Sequence, residues 1–133
     1  MYAISETLVE RIRSQRESEN LDLSLCEITN IPLRAIKDHY GTPKDLDLSY
    51  NLIGYIKPVF VLDMKHCTKL NLARNGLQKL PENFGDMDQL TYLDLHANQV
   101  LKLELYELIR LQECFLTLFD VAYHETVLYT YSL

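Results

Sequence analysis

One eleven-residue pattern, L-x-x-L-x-L-x-x-N-x-L, governs what this chain can fold into. Residues 90–100, LTYLDLHANQV, fit it with Val100 in the last apolar place, and copies stand upstream at 67–77 (CTKLNLARNGL), 43–53 (PKDLDLSYNLI) and 18–28 (SENLDLSLCEI). Their second leucines, Leu21, Leu46, Leu70 and Leu93, are 25, 24 and 23 residues apart. A unit that short cannot close a core of its own, so each copy must bury its apolar side against the next, which makes the chain a one-dimensional stack.

The pattern is that of a leucine-rich repeat, and its chemistry explains itself. In L-x-L the apolar and polar residues alternate with the period of a half-buried strand, so the leucines point inward and the residue between them points outward. Stacked copies then give short parallel strands on a concave face. Asn51, Asn75 and Asn98 hold the Asn place, where their amides are expected to bond backbone groups left unpaired by the turn. Cys26 takes that place in the first copy, as a small buried residue. Ile31, Ile56, Leu80 and Leu103 supply the next inward residue, and Phe60 and Phe84, with Ile36, Met87 and Leu108, should pack irregular or short helical convex segments. The fold class is therefore an α/β leucine-rich repeat solenoid.

Taken in order, residues 1–17 read as an N-terminal capping helix, 18–112 as the repeats, and 113–133 as a degenerate fifth repeat or C-terminal tail. Ile4, Leu8 and Ile12 recur at helical spacing over about residues 5–16, which suits a lid on the open N-terminal end. Residues 33–39 look helical, with Gly41 as the stop. Continuing the 23-residue spacing from Leu93 places a fifth strand at 116–118, but Val121 stands where Asn belongs, and the tail beyond reads as an irregular lid or as sticky surface.

With 47% apolar and 24% charged residues the composition is that of a globular domain, and a net charge of −6 argues against nucleic acid and toward basic partners. Cys26, Cys67 and Cys114 fall on or beside inward positions with no C-x-x-C pair, so they read as reduced thiols of a cytoplasmic protein. The N-terminus lacks a secretory signal, and no apolar run is long enough to span a membrane.

The residues that face outward between and beside the paired leucines include Asp22, Asp45, Asp47, Asn71 and Asp94, an acidic stripe on which a basic segment could lie. Tyr92 and His96 flank Asp94 as an aromatic anchor. The alternative is that Asp simply suits an exposed strand position. The four histidines, His39, His66, His96 and His124, are scattered without zinc spacing, and no nucleophile turn or phosphate loop is present. No metal, cofactor or catalytic group is therefore expected, and the chain does not read as an enzyme.

Residues 19–103, in the runs ENLDLSLCEITNIP, DLDLSYNLI and KLNLARNGLQKLPENFGDMDQLTYLDLHANQVLKL, resemble the repeat domain of the leucine-rich repeat-containing protein 59 family, ribosome-binding proteins of the endoplasmic reticulum. The resemblance implies a protein-binding scaffold at the cytosolic face of the reticulum or at the nuclear envelope, linked to ribosomes or to a basic growth factor. The basic segment and membrane span that follow the repeats in that family are not found here. A cytosolic adaptor of the Ras or phosphatase scaffold type shares the same repeat chemistry.

Overall fold

The computed structural model describes residues 6–99 and the strands of residues 115–120 and 125–130. Expectations that rest on Ile4, Leu103, Leu108, Cys114, Val121 and His124 fall outside the described residues. Helix α1 (Glu6–Ser14) is followed by β1 (Asn20–Asp22), α2 (Leu33–His39), β2 (Asp45–Asp47), α3 (Pro58–Asp63), β3 (Lys69–Asn71), a 3-10 turn (Phe84–Asp86), β4 (Tyr92–Asp94), β5 (Phe115–Asp120) and β6 (Glu125–Thr130). All six strands form one sheet in chain order.

Strands β1 to β5 run parallel, with Leu21, Leu46, Leu70, Leu93 and Leu116 side by side across the sheet. The spacing read from the sequence thus fixes the register. A slip of one residue would turn every inward leucine to the outer face. Leu21, Leu46, Leu70 and Leu93 are all sealed from solvent. β6 returns antiparallel on β5, pairing Thr130 with Phe115 and Glu125 with Asp120. The sequence reads there as an irregular lid or as sticky surface, but ETVLYT is rich in β-branched and aromatic residues that favour a pleated surface.

The return segments carry the other half of the core. Phe60 in α3 and Phe84 in the 3-10 turn are fully buried, as are Ile36, Ile56 and Met87. α2 ends where expected: the amides of Tyr40 and Gly41 both donate to the Ile36 carbonyl, and Gly41 takes φ 115, which only glycine adopts without strain. α1 is shorter than the periodicity suggested because the chain turns after Ser14 to reach β1. Its Ile12 lies in the core and Leu8 packs against it.

Candidate functional site

Strands β1 to β4 each leave the sheet through the same corner. The residue before the ladder position has a left-handed backbone in all four repeats: Leu25 at φ 56, and Tyr50, Arg74 and Ala97 at 55. That corner strands several backbone groups, and the asparagines bond them. The Asn51 amide donates to the carbonyls of Leu48 and Ser49 within its own repeat and of Leu23 in the preceding one, while its oxygen accepts from the amides of Cys26 and Ile28. Asn75 donates to Leu48, Leu72 and Ala73 and accepts from Ile53. Asn98 donates to Leu72, Leu95 and His96 and accepts from Leu77.

Cys26 departs from the expectation that it would be buried. It is half-buried; its thiol donates to the Ser24 carbonyl at 3.3 Å and accepts from the Arg11 guanidinium at 3.1 Å. Burial pushes this thiol up, with Arg11 opposing, and Cys67, sealed in the core, is pushed up to about 12 by burial. Neither is a poised nucleophile.

On the outer face two rows run across the repeats in register. One is Asn20, Asp45, Lys69 and Tyr92; the other is Asp22, Asp47, Asn71 and Asp94. Neighbours in a row are about 4.8 Å apart, the strand spacing. Asn20, Asp22, Asp45, Asp47, Lys69, Asn71 and Tyr92 line a shallow open depression of about 290 Å³. Of the candidate residues, Asp94 and His96 do not line it.

The second row also has a structural task that sequence reasoning did not detect. Asp22 Oδ1 accepts from the Ser24 amide (2.9 Å) and hydroxyl (2.6 Å), and Asp47 Oδ1 does the same with Ser49 at the same distances. Asn71 Oδ1 accepts from the Ala73 amide at 3.0 Å, and Asp94 Oδ1 from the His96 amide at 3.0 Å. These side chains cap the strand end by bonding two residues on, the habit that suits Asp and Asn to turns. One oxygen per carboxylate is used in this way. Burial would raise the Asp22 carboxyl, but the Ser24 hydrogen bonds and the Arg11 charge at 3.4 Å hold it below the ordinary aspartate value.

Asp94 is not an exposed member of a stripe. It is 7% exposed, its Oδ1 lies 2.5 Å from His96 Nδ1, and the Tyr92 hydroxyl reaches its Oδ2 at 3.4 Å. Burial, then the Asp94 charge, push the Tyr92 hydroxyl up. Lys69 interrupts the first row, so the acidic ground narrows to Asp22, Asp45 and Asp47 on repeats one and two. The −6 total gave no hint of this, because it is a sum over the whole chain.

The N-terminal edge of the sheet is closed by side chains. The Gln15 carboxamide donates to the Asp22 carbonyl (2.9 Å) and accepts from its amide (2.8 Å), Arg11 Nε donates to the same carbonyl (3.0 Å), and the Ser18 hydroxyl accepts from the Asn20 amide (3.1 Å). Gln15 thus supplies one donor and one acceptor, as a neighbouring strand would. Among the described residues no group of His, Cys, Asp and Glu could hold a metal ion, and no helix is long and apolar enough to cross a membrane.

Comparison with known proteins agrees with this geometry. Residues 44–100 match the family described as leucine rich repeat. Tsukushi of Gallus gallus is 31% identical over 91 residues, which is 64% of this chain and 25% of Tsukushi, so the chain spans about a quarter of that relative. The leucine-rich repeat domain of APL1B superposes with a TM-score of 0.68 at 21% identity, covering 89% of this chain and 35% of that one. A leucine-rich repeat protein of Leptospira interrogans gives 0.56 at 20% identity, covering 90% and 37%. The pattern in the sequence, the ladder in the structure and these likenesses agree that the chain folds as a leucine-rich repeat solenoid.

Proposed function

We propose that the solenoid is a non-catalytic scaffold whose outer sheet face docks a basic protein segment. The observation that carries this reading is the register: it sets Asp22, Asp45 and Asp47 together on adjacent strands around one depression. Like charges that close repel one another, so their summed field favours a cationic partner and speeds its approach. From the likeness of residues 19–103 to the leucine-rich repeat-containing protein 59 family, we take ribosomes at the cytosolic face of the endoplasmic reticulum as the carrier of that segment. A basic growth factor is the second candidate in the same class. A signalling adaptor on the same frame would instead retain a small GTPase or a phosphatase.

The test uses Asp22→Asn/Asp45→Asn/Asp47→Asn. Asn71 already caps its strand end through Oδ1, so asparagine removes charge while keeping the acceptor. Co-sedimentation with purified ribosomes should fall several-fold in this variant. Parent binding should weaken as salt rises, since the Debye length shrinks from about 10 Å at 0.1 M to about 3 Å at 1 M. Equal co-sedimentation of parent and variant across that range would refute the acidic face as the docking surface. It would direct attention to the apolar recess between α2 and α3, lined by Ile31, Leu33, Tyr55 and Val59.

A further inference from the structure

The corners that follow β1 and β2 carry large apolar side chains that the fold does not bury. Leu25 is 73% exposed, Tyr50 51% and Leu52 63%. Leu25 and Tyr50 also sit on left-handed backbone, where a β-carbon is disfavoured and where Asn or Gly would sit at less cost. The Leu25 amide donates to the Ser49 carbonyl and the Tyr50 amide to the Ala73 carbonyl, so the two occupy equivalent places on successive turns. Leu52 follows the ladder residue Asn51, and its amide donates to the Ile28 carbonyl, tying it to the same pair of repeats. Neither local backbone preference nor core packing accounts for three such residues together.

Their placement matches that of the charge. The apolar group and the carboxylates of Asp22, Asp45 and Asp47 all lie on repeats one and two. At repeat three both give way: Lys69 enters the first row, and Arg74 stands at the corner with its guanidinium 5.2 Å from the centre of the Tyr50 ring. That stacking holds the ring in place and marks the far boundary of the patch.

We propose that Leu25, Tyr50 and Leu52 form an apolar rim that takes aliphatic side chains of an extended partner segment whose lysines or arginines reach Asp22, Asp45 and Asp47. The partner is a basic segment with interleaved apolar residues, lying across repeats one and two and stopping at Lys69 and Arg74. This rests on the acidic face being the docking surface and adds what the partner must carry besides charge.

Fluorescence anisotropy with three labelled hexapeptides tests it: one alternating lysine and leucine, one alternating lysine and serine, one alternating glutamate and leucine. The full chain should bind the lysine–leucine peptide about tenfold more tightly than the lysine–serine peptide, the scale expected for one well-buried aliphatic side chain, and the glutamate–leucine peptide least. Leu25→Asn/Tyr50→Asn places residues that tolerate the left-handed backbone, so its melting temperature should not fall. It should remove the tenfold preference and leave lysine–serine binding unchanged. Equal affinity for the two lysine peptides, or an unchanged preference in that variant, overturns the rim while leaving the acidic face standing. If neither lysine peptide outbinds the glutamate peptide, both readings fail.

Discussion

Repeat one and the repeats that follow make the same corner with different side chains, and the contrast shows what the ladder is for. Asn51, Asn75 and Asn98 each donate to a carbonyl of the preceding repeat and accept from its backbone amides, through Leu23, Cys26 and Ile28, through Leu48 and Ile53, and through Leu72 and Leu77 respectively. Among the described residues α1, not a repeat, precedes the repeat of Cys26. Cys26 keeps only the bond to the carbonyl two residues back, at Ser24, which its asparagine counterparts make to Ser49, Ala73 and His96. The inter-repeat task passes to α1 and the turn after it: Arg11 of the helix reaches Cys26, and Gln15 of the turn stands in for a missing strand. The ladder is therefore a link between repeats as much as a brace within one.

The sharpest way to break this comparison is to remove ladder asparagines singly. Asn51→Ala takes the partner from the Cys26 and Ile28 amides and the Leu23 carbonyl at a site only 6% exposed, while the Leu48 and Ser49 carbonyls keep the Asn75 and Leu25 donors, and should cost about 3 kcal/mol, the upper end for losing a buried polar partner. Asn75, half-buried and accepting from one amide, should cost about 2 kcal/mol. Urea melts measure both. If either matched Cys26→Ala, expected at under about 1 kcal/mol because only weak thiol bonds are lost, the distinction between corners would collapse.

Next in size is Gln15→Ala. It leaves the Asp22 amide without its partner at the sheet edge and the Asp22 carbonyl with Arg11 alone, and should cost about 1 kcal/mol in the same melts. An unprotected edge also invites pairing with other chains, so light scattering should rise with concentration in this variant alone. A variant as stable and as monodisperse as the parent would show that α1 covers the end by packing Ile12, with the carboxamide incidental. Asn83 supplies a control. It lies outside the ladder, yet its amide donates to the Pro58 carbonyl at 3.0 Å while its buried Oδ1 has no hydrogen-bond partner. The loss of that bond and the release of the unpaired oxygen oppose each other, so Asn83→Ala should change stability little.

The smallest effect is one of pH. Asp22 titrates below its ordinary value of 3.8 in the folded chain, so its contribution is complete above the unfolded value and is lost as pH falls through the folded one. Asp22→Asn should therefore be slightly less stable than the parent at neutral pH, and the two should converge in acid. The side chain is 56% exposed, so solvent screening keeps the gap small. A gap that widened below pH 4 would contradict the sign.

These differences also explain what could be read from the sequence alone. Strand register, the extent of α2 and the core places of Phe60 and Phe84 follow from period and apolar spacing, because burial acts on every repeat alike. The end devices do not, since Arg11 and Gln15 match no repeat and gain their meaning only when α1 folds back on β1. On the outer face the pattern located Asp22, Asp47 and Asp94 but not the burial of Asp94 against His96, nor the capping bonds that make Asp and Asn suitable there. Lys69, Leu25, Tyr50 and Leu52 were passed over although a signal existed: they occupy variable places in the repeat, where neither leucine nor tyrosine is required by the core.

Native-state hydrogen exchange at the amides of Cys26 and Ile28 tests the central claim most directly, because both donate to Asn51 Oδ1 from the preceding repeat. In Asn51→Ala these amides should exchange far faster than in the parent, while the Leu77 amide, held by Asn98, keeps its protection. In Cys26→Ala the Ile28 amide should stay protected. Unchanged protection of Cys26 and Ile28 in Asn51→Ala, or loss spread evenly over all repeats, would contradict a ladder that ties each repeat to its predecessor.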